Sequence, residues 1–200
     1  MDYYQVVEQI DINTKFCVSN VEIIKKYQNK VDWSYISVNQ ELNENFICEF
    51  QNKVRWRYII ICQKLSEEFI EEFQSKVNWD NVCHYQKISE NFIRKFQNKF
   101  DKVNWDYISH YQILSEKFIE EFQDKINWYW ISLYQKLSEN FIRKFKDKID
   151  WEYLLSKFGY IMFTKENKFC IEYNNYNSGF VSFDEFINIS LKLISLKAFQ

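Results

Sequence analysis

The sequence predicts an all-α fold, an α-solenoid of αα-hairpin repeats of about 23 residues with a small C-terminal α+β capping segment. A long-range period is the first observation: six tryptophans recur every 23 residues, with one step of 26 after Trp79, at Trp33, Trp56, Trp79, Trp105, Trp128 and Trp151. The second is that each repeat contains two signals for the start of a helix. The third is composition, because 200 residues with two glycines, no proline and 20% aromatic residues favour packed helices.

The first helix of each repeat is predicted to begin at the tryptophan. Asp or Asn precedes the tryptophan in five repeats, at Asp32, Asn78, Asn104, Asn127 and Asp150, and Arg55 is the exception. Their side-chain oxygens can accept hydrogen bonds from the unpaired amides of a first helical turn. This placement predicts that each tryptophan is a core residue at a helix start rather than part of a platform for stacking ligands.

The second helix of each repeat is predicted to begin after a Ser or Asn, at Asn43, Ser66, Ser89, Ser115 and Ser138. Acidic residues follow in the first turn, where they oppose the positive end of the helix dipole. Phe, Ile and Phe then fall on one helical face, as in Phe69, Ile70 and Phe73. Helices this short are marginal alone, so the repeats must stack.

The step of 26 residues marks an insertion in the third repeat. Lys99, Phe100 and Asp101 are predicted to lengthen the connecting loop, and 102–103 then restore the Lys-Val pattern before Trp105. Loops tolerate such length changes at small cost in free energy.

Three segments follow from the pattern. Residues 1–31 are predicted to form a degenerate N-terminal cap repeat, residues 32–159 the tandem repeats, and residues 160–200 a C-terminal cap. Within the cap we expect strands at 160–163, 168–173 and 180–183, a turn at 174–179 and a helix at 184–196. Gly159 is placed to end the last first helix.

A leucine-rich-repeat horseshoe is the competing fold. Val54, Trp56 and Tyr58 alternate as in a strand, and 23 residues is within the length range of that repeat. The L-x-x-L-x-L-x-x-N signature is missing, however, and the Asp or Asn before tryptophan is better explained as a helix cap.

Charge and motifs narrow the classes of function. A net charge of −2 gives no basic field, so we expect no nucleic-acid partner, and no apolar run is long enough for a membrane span. The sequence lacks P-loop, GxGxxG, GxSxG and HExxH motifs, so we expect no enzyme, cofactor or small-molecule substrate. No signal peptide or CxxC pair occurs, which predicts an intracellular rather than secreted protein.

A protein-binding surface is expected where the repeats differ. The positions one and five residues after the tryptophan vary, and the candidate contact residues there are Arg57, Asp80, His84, Asp106, His110 and Tyr129. His84 and His110 share one repeat position, but two histidines lack the further ligands that a metal needs, so no metal site is predicted there.

The second helices carry a pattern of charge. The pairs after Phe-Ile are Cys48–Glu49, Glu71–Glu72, Arg94–Lys95, Glu120–Glu121 and Arg143–Lys144. In a stack, acidic and basic pairs would alternate and favour one order of neighbours, since like charges would meet if a repeat slipped.

A calcium site is the weaker alternative. Residues 174–185 have the outline of a degenerate EF-hand loop, with oxygen ligands from Asn174, Ser178, the carbonyl of Phe180, Ser182 and Glu185. Only Glu185 among these is charged, and a turn followed by a helix accounts for the same residues.

The repeated string W-x-[YNW]-[IV]-[SC]…[LI]-[SN]-E-x-F-I-x-x-F-x-x-K-[VI], over about residues 20–158, resembles short tandem repeats in proteins of giant DNA viruses of the mimivirus type. The resemblance implies a viral protein in the host cytoplasm or the virion, and it carries over no catalytic residue. The leading hypothesis is a non-enzymatic scaffold that binds a host or viral protein. A structural virion component that assembles through its ends is the alternative.

Overall fold

The computed structural model describes residues 18–165, 168–173 and 176–197. The chain divides into two compact units, Met1–Phe100 and Asp101–Gln200, and each is described by itself. The described residues form thirteen α-helices, one 3-10 turn and a three-stranded sheet. The predicted class of all-α tandem repeats with a C-terminal α+β cap is confirmed.

The described part of the first unit contains seven helices and a final 3-10 turn. They are α1 (Val18–Lys26), α2 (Trp33–Asn39), α3 (Glu44–Glu49), α4 (Trp56–Cys62), α5 (Glu67–Glu72), α6 (Trp79–Tyr85), α7 (Glu90–Phe96) and the turn Gln97–Lys99. Helix α1 lies where the second helix of a degenerate repeat was expected. The rest of the predicted N-terminal cap, residues 1–17, lies outside the described residues.

The second unit continues the pattern and ends in the cap. Its elements are α8 (Lys102–Tyr111), α9 (Glu116–Glu121), α10 (Trp128–Tyr134), α11 (Glu139–Lys144), α12 (Trp151–Ser156), β1 (Ile161–Lys165), β2 (Lys168–Tyr173), β3 (Tyr176–Asn177) and α13 (Phe183–Lys197). Across residues 18–159 the described chain contains helices and no strand, so the leucine-rich-repeat alternative is wrong.

Side-chain caps begin most helices, as the sequence predicts. Asp32 Oδ1 accepts from the amide of Ser34 at 2.8 Å, and Asn43 Oδ1 accepts from the amide of Phe46 at 2.8 Å. Arg55 occupies the cap position of α4 without a side-chain hydrogen bond to the helix. Each cap satisfies amides that a short helix would otherwise leave unpaired.

The position of the insertion was predicted wrongly. Helix α8 begins at Lys102, and its N-cap is Asp101, which forms a capping box with Asn104. The extra residues therefore add a helical turn rather than lengthen the loop, and Asn104 is not the cap. Val103 is 47% exposed, whereas Trp105 lies one turn inside the helix and is only 3% exposed. Two reciprocal hydrogen bonds favour Asp101 over Asn104 as the start of the helix.

Each repeat has an aromatic core between its two helices. Trp56 packs on Phe73 with ring centroids 4.9 Å apart, and Phe69 packs on Phe73 at 4.7 Å. The indole of Trp56 also donates to the carbonyl of Gln51 at 2.9 Å, which fixes the ring against the preceding connection. Apolar residues of both helices complete the core, and Ile59 and Ile70 are fully buried.

The C-terminal segment covers the apolar side of the last repeat. Leu155 and Trp151 pack in one buried cluster with Ile171 of β2 and Phe186 of α13. Gly159 has a φ of 78° and follows the end of α12, where the amide of Tyr160 bonds to the carbonyl of Leu155 at 3.2 Å. Glycine adopts this left-handed conformation without steric cost, as predicted for the end of the helix.

Part of the cap differs from the prediction. The antiparallel sheet has the order β1-β2-β3, and its third strand is β3 rather than 180–183. Val181 forms only an isolated bridge with Phe169, and α13 begins at Phe183. Ser182 and Glu185 make reciprocal hydrogen bonds at that helix start, which ends the extended chain before a strand can form.

Candidate functional site

The face formed by the first helices carries the residues that the sequence singled out. We call the residues one, two, five and six positions after each tryptophan the first-helix face. First helices of neighbouring repeats pack on one another, as α2 does on α4, α4 on α6 and α8 on α10. Arg57 is exposed on this face, and Asp80, His84, Asp106, His110 and Tyr129 are half-buried.

The position after the tryptophan connects neighbouring repeats. Asp106 accepts a hydrogen bond from Asn127 Nδ2 at 2.7 Å, and Ser34 Oγ accepts one from Arg55 Nε at 3.3 Å. Tyr129 meets Tyr153 edge-on with ring centroids 4.2 Å apart, and a hydrogen bond with Tyr153 raises the pKa of Tyr129. Asp106 and Tyr129 therefore stabilise the stack, in addition to any role at the surface.

The two histidines lie in different units. In the first unit His84 stacks on Tyr85, with ring centroids 4.0 Å apart. In the second unit His110 stacks on Tyr111 at 3.9 Å. The described residues contain no group of three or more His, Cys, Asp or Glu arranged to hold a metal ion.

An aromatic cluster of Tyr107, His110, Tyr111, Trp130 and Tyr134 covers the first-helix face of the second unit. The His110 ring is nearly parallel to that of Trp130, at 4.3 Å and 7°, and lies 4.2 Å from that of Tyr134. Stacked rings of this kind add about 0.5–1.5 kcal/mol beyond the area they bury. The cluster joins α8 to α10 and forms a rigid surface.

This aromatic surface reaches the solvent. Tyr134 is 51% exposed and Tyr111 45%, and Ile113, just beyond α8, is 95% exposed. In the first unit Tyr85 is similarly exposed, at 47%. Large apolar groups that cluster in the open are typical of interaction surfaces, whereas scattered ones are ordinary.

Lysines without carboxylate partners lie beside the aromatic residues. Lys64, Lys87 and Lys136 share the position eight residues after the tryptophan and are exposed. None of them forms an ion pair within the described part of the chain. Three lysines of the second helices differ, because Lys25 pairs with Glu49 at 2.7 Å and Lys95 and Lys144 pair with Glu71 and Glu120.

Those ion pairs show the predicted order of charges on the second helices. In each ion pair, the first of the two residues after the apolar pair of one second helix contacts the second such residue of the next second helix, as Glu71 contacts Lys95. Cys48 departs from the pattern, because it faces Glu72, and burial together with the charges of Glu72 and Glu44 raises the pKa of the thiol. At this one step of the first unit, the acidic pair Glu71–Glu72 therefore follows a neutral thiol instead of a lysine.

Buried glutamines, which we call the glutamine ladder (Gln63 and Gln86 in the first unit, Gln135 in the second), hold neighbouring first helices in register within each unit. The side-chain amide of Gln63 donates to the carbonyls of Ser37 at 3.1 Å and Gln40 at 2.9 Å, and its oxygen accepts from the amide of Leu42 at 2.9 Å. Gln86 and Gln135 make the same three kinds of bond with the repeat before them.

Sequence reasoning missed the glutamine ladder, although Gln was visible at a fixed position in the repeat. Other fixed polar residues also bond to a neighbouring repeat. Ser37 Oγ accepts from the amide of Arg55 at 3.0 Å, and Glu67 accepts from the cap residue Ser89. Lys76 Nζ donates to Gln51 at 2.6 Å and lies 5.5 Å from the centre of the Trp56 ring. The fixed positions therefore stabilise the stack, whereas the variable positions lie on the first-helix face, where Asp106 and Tyr129 also contact a neighbouring repeat.

Three of the residues named as calcium ligands, Ser178, Ser182 and Glu185, form hydrogen bonds within the chain. Ser182 donates from Oγ to Glu185 at 2.9 Å, and this bond lowers the pKa of Glu185. Ser178 Oγ accepts from the amide of Ile171 at 2.9 Å, and Phe180 is 51% exposed. Asn174 lies outside the described residues. Strands β1 and β2, rather than the entering helix of an EF-hand, precede these residues, and β3 lies among them.

No helix in the described ranges combines the length and apolar character that crossing a membrane requires. Comparison with protein-family models, with curated proteins and with solved structures gives no match to this chain. The geometry of the first-helix face is therefore the basis for a functional interpretation.

Proposed function

We propose that this protein is a non-enzymatic repeat scaffold that binds another protein through the first-helix face. The observation that carries the proposal is the aromatic cluster of the second unit, with Tyr111 and Tyr134 about half exposed next to Ile113. Tyrosine and tryptophan supply large contact area at low cost in conformational entropy, which is why they are enriched at protein interfaces.

The different roles of the fixed and the variable positions of the repeat support this proposal. Fixed Gln, Ser, Glu and Lys residues bond to the neighbouring repeat, whereas the first-helix face changes from Tyr35 and Asn39 in α2 to Trp130 and Tyr134 in α10. A stack of this kind can change its partner through surface substitutions without loss of the fold. The resemblance to repeats of giant DNA viruses supports a viral protein whose partner is a host or viral protein, inside the infected cell or the virion.

Site-specific photocrosslinking tests the proposal. A benzophenone amino acid would replace Tyr134, and in a matched control it would replace Asn140, an exposed residue of α11. We expect a crosslink from position 134 to a distinct protein in lysate of infected cells, and none to that protein from position 140. Crosslinks of equal yield at both positions would contradict the proposal, and crosslinks only between copies of this chain would favour the structural alternative.

A further inference from the structure

The charges around the aromatic cluster indicate the kind of partner that it fits. Lys136 directly follows the buried Gln135 at the end of α10 and forms no ion pair within the described residues. Lys157 Nζ lies 3.0 Å from the carbonyl oxygen of Gln135, also without a carboxylate beside it. Two cations thus lie at one end of α10, next to the half-exposed Tyr134.

Three carboxylates of the adjoining elements bond to side chains other than Lys136 and Lys157. Asp106 accepts from Asn127, Glu116 accepts from Ser138, and Glu139 pairs with Arg143 at 2.8 Å. Glu152, in the first turn of α12, is exposed and remains the one acidic group of α12. Lys136 and Lys157 therefore add positive charge at the end of α10, and neither forms an ion pair with a carboxylate of the described residues.

We propose that the surface formed by Tyr111, Ile113, Tyr134 and Lys136 binds an acidic segment of a protein partner. Carboxylates of that segment pair with Lys136, and its apolar side chains pack on Tyr111, Ile113 and Tyr134. This inference rests on the proposed function and adds the charge of the partner to it. Complementary charge at such a surface sets specificity and the rate of association more than it sets affinity.

The first unit repeats the same arrangement. Tyr85, which is 47% exposed, is followed by the exposed Lys87, and Lys64 holds the same position in the repeat before. Some lysines of the second helices do have ionic partners, as Lys95 has in Glu71. Lys64 and Lys87 form no ion pair within the described residues, and they lie on the side of the repeat that carries the exposed tyrosine.

Nucleic acid also brings negative charge and flat bases, but the aromatic cluster suits it poorly. Bases stack on open ring faces, and here the rings stack on one another, with His110 against Trp130, Tyr134 and Tyr111. One lysine in a repeat is also sparse for a groove that follows a phosphate backbone.

Fluorescence anisotropy with defined polymers tests the proposal on the full chain. The probes are a labelled random copolymer of Glu and Tyr and a labelled oligo-dT. We expect the full chain to bind the copolymer, and Lys136→Glu and Tyr134→Ala each to weaken that binding roughly tenfold. Lys192→Glu, an exposed substitution in α13, serves as the matched control and should leave it unchanged, with thermal melts confirming that every variant is folded.

Several results would overturn the inference: no binding of the copolymer, equal binding by Lys136→Glu and the unmodified chain, or tighter binding of oligo-dT that Lys136→Glu abolishes. Photocrosslinking of the variants separates this failure from that of the proposed function. For these variants the benzophenone amino acid replaces Tyr111. If Tyr134→Ala no longer crosslinks to the partner protein but Lys136→Glu still does, the first-helix face binds a protein whose contact segment is not acidic. If both variants keep it, the protein binds elsewhere and the proposed function fails as well.

Discussion

Lys157 donates a hydrogen bond to the carbonyl oxygen of Gln135 at 3.0 Å, the kind of site that a glutamine amide occupies in earlier repeats. Gln135 makes the equivalent bond to the carbonyl of Gln112 at 2.8 Å, and Gln63 makes it to Gln40 at 2.9 Å. Phe158 stands where the next glutamine would be, so a lysine from the preceding position ends the glutamine ladder. A cation thus replaces a neutral amide at the last step.

The unfolding free energy should depend on pH through this lysine. Burial lowers the pKa of Lys157 from 10.5 to about 8. Because the folded state disfavours the proton relative to the unfolded chain, stability rises as the pH increases from about 8 towards 10.5 and is lower below that range. Urea denaturation between about pH 7.5 and pH 10 should show that the unmodified chain gains stability relative to Lys157→Met.

Lys136→Met is the control for this measurement, since Lys136 is exposed and lies in the same turn of the stack. Its stability should follow that of the unmodified chain across the range. An identical pH dependence in all three proteins would show that Lys157 is equally easy to protonate when folded and unfolded.

Gln63→Leu should lower stability strongly. The substitution keeps the bulk of the side chain but leaves two carbonyls and the amide of Leu42 without their buried partner. Buried polar groups that lose their hydrogen bonds typically cost about 1–3 kcal/mol each, so we expect a loss of roughly 2–5 kcal/mol. Chemical denaturation checks this against Asn45→Ala, an exposed substitution on α3 that should change stability by less than about 0.5 kcal/mol. A Gln63→Leu protein as stable as the control would contradict a structural role for the glutamine ladder.

Arg55→Asn should raise stability. Arg55 is the one cap position before a repeat tryptophan where the sequence holds neither Asp nor Asn, and its side chain makes no bond to α4. An asparagine cap typically contributes about 0.5–2 kcal/mol over a residue that does not cap. Loss of the contact with Ser34 Oγ at 3.3 Å offsets part of this gain. Differential scanning calorimetry should show a higher Tm, and Arg57→Asn, inside the same helix, should not raise it.

Cys48→Lys should complete the row of ion pairs in the first unit. A lysine there would face Glu72 as Lys25 faces Glu49. An exposed pair is worth about 0.2–1 kcal/mol, and salt screens it. The gain should therefore disappear at high ionic strength and in a Cys48→Lys, Glu72→Gln double variant. A gain that survives in the double variant would have another cause, such as helix propensity.

Local signals made most of the fold predictable. A cap such as Asp32 and a face such as Phe69, Ile70 and Phe73 depend on residues within one or two turns, so the sequence shows them directly. The insertion was harder, because Asp101 and Asn104 are both good caps, and the choice depends on the capping box between them and on the burial of Trp105. The third strand was harder still, because strand pairing joins residues distant in sequence. Val181 has apolar neighbours in the sequence, as a strand residue would, but it forms only one isolated bridge, with Phe169.

The candidate site was predictable only in part. His110 and Tyr129 were found because they vary within the repeat. The prediction omits Trp130 and Tyr134, because tyrosine recurs at their repeat positions, as in Tyr107 and Tyr111, and variation therefore does not single them out. A seven-residue helix presents two turns to the solvent, so positions two and six belong to the same face as one and five.

The alternation of charge on the second helices limits how such a chain can lengthen. Lys95 pairs with Glu71 and Lys144 with Glu120 because a basic repeat follows an acidic one. Duplication of a single repeat would place two acidic or two basic pairs side by side, whereas duplication of two adjacent repeats would preserve every contact. The number of repeats should therefore grow in steps of two, and a lineage of related chains would differ by pairs of units.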